Sequence, residues 1–321
     1  MIFGRFCISV YNINSAFAAQ NYTAAYAADI TKKKEAYMKL IQWFPGHMTK
    51  AMRMMRENAA LCDGAVIVLD ARCPASSFNG KLKKVFEGKP VLYVLNKSDL
   101  AERTEENVKI IKSCGAAAVS LNATQSGCRR ALYTACADIV REKSQRAREK
   151  GYERTFRFMV LGVPNTGKST VINLLSGSKR TVTGDKAGVT RGKQWIRLDG
   201  FELLDTPGTM PPAFENQTFA RRLAYVGSIN DDILDFDDIA LALLADMAEQ
   251  YPQRLAERYG IEDFSAPLKM LEDVCVRRGF MLRGGEFDYD RACKAVVDDL
   301  RKGRLGRICL DGAEDVRSAR F

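Results

Sequence analysis

Histidine is nearly absent from this 321-residue chain: His47 is the only one, so any imidazole chemistry rests on that position. The nine cysteines, at positions 7, 62, 73, 114, 128, 136, 275, 293 and 309, include no C-x-x-C pair, which leaves no zinc or dithiol-redox motif. They read as reduced, mostly buried thiols of a cytosolic protein. No apolar run approaches the roughly 18 residues that a membrane-spanning helix requires. No aromatic ladder marks a platform for single-stranded nucleic acid. The aspartates at 231, 232, 235, 237 and 238 lack the glycine-containing spacing of a calcium loop, which leaves helix capping and solvation to account for them. Negative charge is also short: 39 Asp and Glu face 49 Lys and Arg, a net charge of +10, with a pI of about 9.1. That excess favours a polyanionic partner, nucleic acid first and an anionic membrane surface second, although a basic soluble enzyme shows the same balance.

What is present is more specific. Hydrophobic residues make up 46% of the chain, enough for a core, and the length suits one large and one small domain. Gly162-Val163-Pro164-Asn165-Thr166-Gly167-Lys168-Ser169 reads G-x-x-x-x-G-K-S, the phosphate-binding loop pattern. An apolar run of strand length, Phe156–Leu161, precedes it, and Thr170–Leu175 can begin a helix. A strand, a glycine-containing turn and a helix bring the N–H groups of Asn165, Thr166, Gly167, Lys168, Ser169 and Thr170 toward a phosphate chain. Lys168 can neutralise β- and γ-phosphate charge, and the Ser169 hydroxyl can ligate Mg²⁺.

Gly64–Asp70 and Pro90–Leu95 are continuous apolar runs of the kind buried in parallel sheets. The first ends in a carboxylate and is followed by a loop at 71–77. The second runs into Asn96-Lys97-Ser98-Asp99. Guanine presents two donors on one edge, N1–H and the exocyclic amine, and one carboxylate accepts both; Asp99 suits guanine and not adenine. Asn96 can bond the other side of the base, Lys97 can lay its stem on the ring, and Ser98 lies in the same turn. Such a tetrapeptide also occurs in surface turns, and it is the companion phosphate loop that gives it weight. Ala117–Leu121 reads as a third strand. Asn122-Ala123 beyond it suits a backbone N–H contact to the guanine oxygen, a position that a plain polar loop would also fill.

After the phosphate loop, the basic segment 184–192 contains Thr190, which suits Mg²⁺ and γ-phosphate and is preferred over Thr181 and Thr183. Phe201–Leu204 leads as a strand into Asp205-Thr206-Pro207-Gly208. There Asp205 suits Mg²⁺ through water, and the Gly208 N–H suits the γ-phosphate. Met48–Leu61 has helical spacing after the Pro45-Gly46 turn. From its place alone His47 reads as a helix cap or as a catalytic group.

The order of these motifs is unusual. Asn96–Asp99 precedes Gly162–Ser169, whereas in Ras-like GTPases the phosphate loop comes first. The same sheet closes if the chain ends have been circularly permuted. In this the chain resembles the circularly permuted GTPases of ribosome assembly. Trp43-Phe44-Pro45-Gly46-His47-Met48, Asp70-Ala71-Arg72, Asn96–Asp99, Gly162–Thr170 and Asp205–Gly208 together resemble the bacterial ribosome biogenesis GTPase A (YlqF-type) family over about residues 39–310.

The resemblance implies a circularly permuted Ras-like P-loop GTPase, an α/β fold with a doubly wound, mostly parallel sheet, followed by a smaller all-α domain. It implies GTP hydrolysis with His47 in place of the water-orienting Gln of Ras-like enzymes. Mg²⁺ would sit at Ser169 and Thr190, and K⁺ at Asn165, where it would take over part of an arginine finger's charge compensation. Thr209 departs from the aliphatic residue usual after the Asp-Thr-Pro-Gly turn. The expected role is late maturation of the large (50S) ribosomal subunit, with hydrolysis stimulated by that particle. The expected partners are GTP, GDP, the subunit precursor and its rRNA, with no membrane partner, a cytoplasmic location and a monomer off the ribosome. The alternative is a GTP-regulated RNA-binding assembly factor whose hydrolysis is incidental; a small-subunit or tRNA-modification GTPase is disfavoured.

Residues 38–215 are expected to form the GTPase domain and 216–321 a helical RNA-binding domain. Within the latter, Tyr251–Gly260 and 278–290 carry the resemblance. Its basic residues Arg277, Arg278, Arg283, Arg291, Lys294, Arg301, Lys302, Arg304 and Arg307 read equally as a solvated face or as RNA contacts. Residues 1–37 show no sustained period and are expected to be poorly ordered. Arg5 and Ala16-Phe17-Ala18 imitate a signal peptide, but Asn12 and Asn14 interrupt its apolar part. Lys34-Glu35-Ala36 can be encoded by AAG-GAG-GCN, a ribosome-binding purine tract, with Met38 at suitable spacing. Translation is therefore expected to begin at Met38.

Overall fold

The structure, a computed structural model, describes residues 41, 46–177, 194–210, 214 and 216–321, with 46–49 and 194 as backbone only. The expectations for residues 1–37, Trp43–Pro45, the His47 side chain, Thr181, Thr183 and Thr190 fall outside the described residues. Helix α1 (Gly46–Ala59) leads to strand β1 (Gly64–Asp70), which is buried along its whole length. Helix α2 (Gly80–Val85), β2 (Val91–Asn96), α3 (Thr104–Ser113) and β3 (Ala117–Leu121) follow. Then come α4 (Arg129–Asp138), α5 (Arg141–Glu149), β4 (Phe156–Leu161), α6 (Lys168–Ser176), β5 (Gln194–Arg197) and β6 (Phe201–Asp205).

The six strands form one sheet in the order β3-β2-β1-β4-β6-β5. Every pairing is parallel except β5 with β6. Successive side chains on a strand point to opposite faces, and here both faces are covered. Ile67 and Leu69 join Met55, Leu95 and Met159 in one buried cluster, while Val66 and Val68 join Val94, Phe158 and Val160 in another. Two-sided burial is why these strands read as unbroken apolar runs rather than alternating ones. The ladder sets Asp70 beside Asn96 and Asn96 beside Leu121. Parallel direction therefore places the loops after β1, β2, β3, β4 and β6 at one edge of the sheet, on either side of the β1–β4 switch in chain order, where ligands of open α/β sheets bind.

Arg129–Lys150, which reads as one basic helix, is interrupted in the structure. Val140 is 2% exposed and packs on the sheet with φ at −116°, which ends α4 and starts α5. Burying that apolar side chain outweighs continuing a helix whose next turns contribute only Ala147 to the interior.

The remainder is helical: α7 (Gln217–Tyr225), α8 (Phe236–Gln250), α9 (Pro252–Tyr259), α10 (Pro267–Arg278), α11 (Tyr289–Arg301) and α12 (Ala313–Ser318). Asp235 caps α8 by accepting from the Asp238 N–H, which satisfies a helix donor that has no internal partner. Ile239, Leu243, Leu244 and Met247 form the buried stripe of α8.

The tail then returns to the sheet. Ile308 bridges Ala101, the Leu310 N–H donates to the Arg72 carbonyl at 2.7 Å, and the Phe321 ring packs tilted against Phe78 and edge-on against Tyr93, with centroids 4.7 and 5.3 Å apart. From Ile41 onward the chain forms one compact unit.

Of the arginines that read equally as a solvated face or as RNA contacts, Arg278, Arg301, Arg304 and Arg307 are held internally. Arg258, Arg278 and Arg304 surround the fully buried Asp299 carboxylate at 2.8 to 2.9 Å. Arg301 forks onto Asp231 with both nitrogens at 2.7 Å and also donates to the Ala224 and Tyr225 carbonyls. Arg307 donates to the Ala101 carbonyl.

Candidate nucleotide site

The loop between β4 and α6 is built on left-handed backbone at Asn165 (φ 60°) and Gly167 (φ 90°). A Cβ at Gly167 would lie 2.3 Å from Asn96 Nδ2, so the close approach of the two loops requires glycine. Asn96 ties them: its amide N–H donates to the Thr166 carbonyl at 2.9 Å, and its oxygen accepts from the Ala123 N–H at 3.0 Å. One side chain thus holds the phosphate loop, the Asn96–Asp99 turn and the Asn122–Ala123 loop in register. The Ala123 bond occupies the N–H that the sequence assigns to the guanine oxygen, so a base would have to share that hydrogen or displace the Asn96 oxygen. Asp99 lies exposed in the turn Ser98–Leu100, and among the described residues no group donates to its carboxylate.

Lys97 sits in left-handed geometry, with φ at 62°. Its ammonium bonds Asp70 Oδ2 at 2.9 Å and the Asn165 carbonyl at 2.6 Å. Sequence reasoning registered Asp70 and Arg72 without a role. Arg72 forks onto Asp70 at 2.9 and 2.8 Å, and both side chains are 1% exposed. Burial alone would raise the Asp70 carboxyl, but the adjacent Arg72 and Lys97 charges hold it far below the usual carboxylate range. The signal in the sequence was a carboxylate at the end of a buried strand, one strand away from a lysine at the matching position.

On the other side, Lys168 is 7% exposed and donates to the Val163 carbonyl at 2.9 Å. Burial lowers its pKa to about 8; Asp205 opposes that shift and Lys97 adds to it. A Cβ at Gly208 would sit 2.7 Å from Pro164 Cα and 3.0 Å from Lys168 Nζ, so the Asp205–Gly208 turn lies directly against the phosphate loop. The Thr209 N–H donates to the Gly162 carbonyl at 3.2 Å, while its buried hydroxyl has no partner among the described residues. The Asn165 amide donates to the Gly227 carbonyl at 2.6 Å, linking the phosphate loop to the turn after α7. Ser169 Oγ is 3.4 Å from Asp205 Oδ2 at the start of α6. A hydroxyl and a carboxylate side by side are hard oxygen donors suited to Mg²⁺.

These loops together can cradle a phosphate chain and read a purine edge. The sequence comparisons agree with that chemistry. A family model described as 50S ribosome-binding GTPase matches residues 157–261. Ribosome biogenesis GTPase A of Bacillus cereus is 40% identical over 281 residues, 86% of this chain and 95% of that protein. The chain belongs to the ribosome biogenesis GTPase A family. The Thermotoga maritima member is 30% identical over 86% of this chain and 96% of its own length. A GDP-bound YlqF structure superposes with a TM-score of 0.59 at 26% identity, over 82% of this chain and 100% of that one. GNP-bound YlqF from T. maritima gives a TM-score of 0.57 at 26% identity, over 82% and 97%.

As a member of the ribosome biogenesis GTPase A family the chain is a GTP hydrolase with a circularly permuted P-loop sheet. GTPases of this kind use Mg²⁺, which the Ser169 and Asp205 donor pair fits. Among the described residues no helix is long and apolar enough to cross a membrane.

The depressed Lys168 has a measurable consequence. A nearby phosphate chain favours its ammonium form, so nucleotide binding takes up a proton once the free protein has lost it. GDP affinity is expected to be flat up to pH 7.5 and to weaken above about 8 toward roughly tenfold per pH unit. Titration calorimetry in buffers of different ionisation enthalpy checks this through net proton uptake at pH 8.5. For the fold the sign is opposite. The unfolded chain binds more protons between the folded value of about 8 and the ordinary 10.5, so this group adds stability as pH rises through that window.

Proposed function

We propose that this GTPase times a late step in assembly of the large (50S) ribosomal subunit, and that the subunit precursor stimulates its hydrolysis. The observation that carries the reading is the Asn96 amide, which joins the phosphate loop to both guanine-side loops, in a chain whose relatives are named for ribosome biogenesis. In this reading residues 38–215 carry the nucleotide chemistry and 216–321 form the helical module that meets the particle. Asp99 accepts from the guanine edge, with Asn96, Lys97, Ser98, Asn122 and Ala123 framing the base. The loop N–H groups from Asn165 to Thr170 and the Lys168 ammonium hold the phosphates, and the Gly208 N–H reads the γ-phosphate. Mg²⁺, when bound, offsets charge on the β- and γ-phosphate oxygens; Ser169 and Thr190 would ligate it, and Asp205 would hold one of its waters. His47 orients the attacking water. Asn165 offers its amide oxygen to K⁺ while its N–H stays on Gly227.

GTP binding would order the Thr190 and Asp205–Gly208 segments and favour docking on the precursor, and hydrolysis would release it. The test is GTP turnover with large or small subunits, in potassium or sodium buffer. Large subunits are expected to raise turnover by about 10³-fold or more, further in potassium, with small subunits inert. The His47→Ala variant is expected to lose the stimulation while keeping GDP affinity. Absence of stimulation by either subunit would overturn the assembly reading.

A further inference from the structure

The positive charge of this protein is not where its helical part would suggest. Between residues 231 and 321 there are 14 Lys and Arg against 20 Asp and Glu. The arginines there that enclose Asp299 and Asp231 are engaged within the fold: Arg258, Arg278 and Arg304 share the Asp299 carboxylate, Arg304 also meets Asp298, and Arg301 pairs with Asp231. The opposite balance occurs on α1 and α2, which lie against each other on one face of the sheet. Lys50, Arg53, Arg56, Lys81, Lys83 and Lys84 stand there with Glu57 and Glu87 as the only acids on the two helices and the residues just after α2. Arg53 pairs with Glu57 at 2.8 Å, in the open at 81% and 59% exposure, where such a pair contributes little. Lys83 donates to the Arg320 carbonyl. Lys50, Arg56, Lys81 and Lys84 are exposed and have no acidic partner among the described residues.

This arrangement serves the helices only in part: Arg56 stands in the last turn of α1 and Lys83 and Lys84 in that of α2, where the helix dipole favours cations, whereas Lys50 and Lys81 lie outside those turns. Neither α1 nor α2 has an acidic residue in its first turn, where the helix dipole favours one. In α2, three lysines fall within six residues that bury only Leu82. Like charges this close repel one another and are relieved by an external polyanion.

We propose that the joined faces of α1 and α2 are a contact surface for RNA phosphates. This rests on the reading that the partner is a ribosomal particle. A bilayer fits less well, because Leu61 is the one large exposed apolar side chain among the described residues from 46 to 89, and surface insertion needs an apolar face. The first turn of α1 also holds His47. RNA seated on Lys50, Arg53 and Arg56 would therefore bear on the helix that carries the proposed water-orienting residue, which gives the particle a route to hydrolysis.

The test uses the full chain with Lys50, Arg56, Lys81 and Lys84 all changed to Gln. A second variant has the same charge change at Arg277, Arg283, Arg291 and Lys294. The dissociation constant for an RNA duplex of about 20 base pairs, and for large ribosomal subunits, is measured against KCl concentration. Removing four phosphate contacts is expected to lower the salt slope by about 3 and to weaken binding at least about tenfold. GDP affinity should stay within twofold of the parent and so report the intact fold. The second variant should change the slope by less than half as much.

A wild-type slope in the α1–α2 variant, an equal loss in both variants, or tighter binding to anionic phosphatidylserine vesicles than to RNA would overturn the proposal. Should the parent bind subunits through these four residues without faster GTP turnover, the surface stands and the assembly-timer reading fails. Stimulated turnover together with an unchanged slope in the α1–α2 variant removes the surface alone.

Discussion

Asp99→Asn is expected to weaken GTP binding by about 10²- to 10⁴-fold and to create affinity for xanthosine triphosphate. The carboxylate offers two acceptor oxygens to two guanine donors. An amide offers one acceptor and one donor, so it loses one charge-assisted bond and sets its own N–H against the exocyclic amine. Each such loss is worth about 1.5–3 kcal/mol, and every 1.4 kcal/mol is tenfold. Xanthine carries an oxygen at that position and matches the amide. Because Asp99 is exposed and accepts no bond from described residues, the thermal midpoint should not move, which separates a specificity change from unfolding. Competition between the two triphosphates for a fluorescent nucleotide measures it. Unchanged GTP affinity would remove Asp99 from the base site.

Asp70→Asn is expected to cost about 3–5 kcal/mol of stability, the usual cost of leaving a buried charge without its counter-ion. The variant strands Arg72, which is 1% exposed, and removes the anchor of Lys97. The effect should reach the C-terminal part of the chain, since Arg72 also bonds the Leu300 and Leu310 backbone. Urea unfolding at neutral pH gives the magnitude; a loss under about 1 kcal/mol would show that the pair is dispensable. The pH dependence follows from the depressed carboxyl. Its contribution is complete above the ordinary value of 3.8 and is lost progressively as pH falls from there to its lower folded value. The gap between parent and variant should therefore narrow in acid.

Much of the sheet was legible in the sequence. Gly64–Asp70, Val91–Asn96 and Phe156–Leu161 are apolar runs because parallel strands are buried on both faces, and their motifs follow at the ends. The four-residue β5 was not legible, since Gln194–Arg197 has no strand pattern and exists by pairing with β6. Helices α3, α7 and α12 were also missed, although α3 and α7 carry apolar residues at helical spacing, Val108 with Ile111 and Ala220 with Leu223 and Ala224, while α12 is only six residues long. The break at Val140 was missed because only the sheet beneath it makes burying that side chain favourable. For the site, the sequence shows the Gly162–Ser169 and Asn96–Asp99 patterns at short spacings, and the structure sets their two loops side by side. The work of Asn96 between loops, and of Asp70 between Arg72 and Lys97, was not legible, because each joins strand ends that are distant in sequence.

By itself, the sequence determined the family, the nucleotide chemistry and the permuted order of its parts, since these depend on residue types at short, fixed spacings. Only the tertiary structure decided which charges are free. Arg301 and Asp231 are 70 residues apart, and Arg258 and Asp299 are 41 apart, yet each pair is in contact. Coulomb attraction is short-ranged in salt water, so a basic residue is neutralised or available according to its neighbours in space. That selection engages Arg258, Arg278, Arg301 and Arg304 within the helical region and leaves Lys50, Arg56, Lys81 and Lys84 of α1 and α2 without an acidic partner among the described residues.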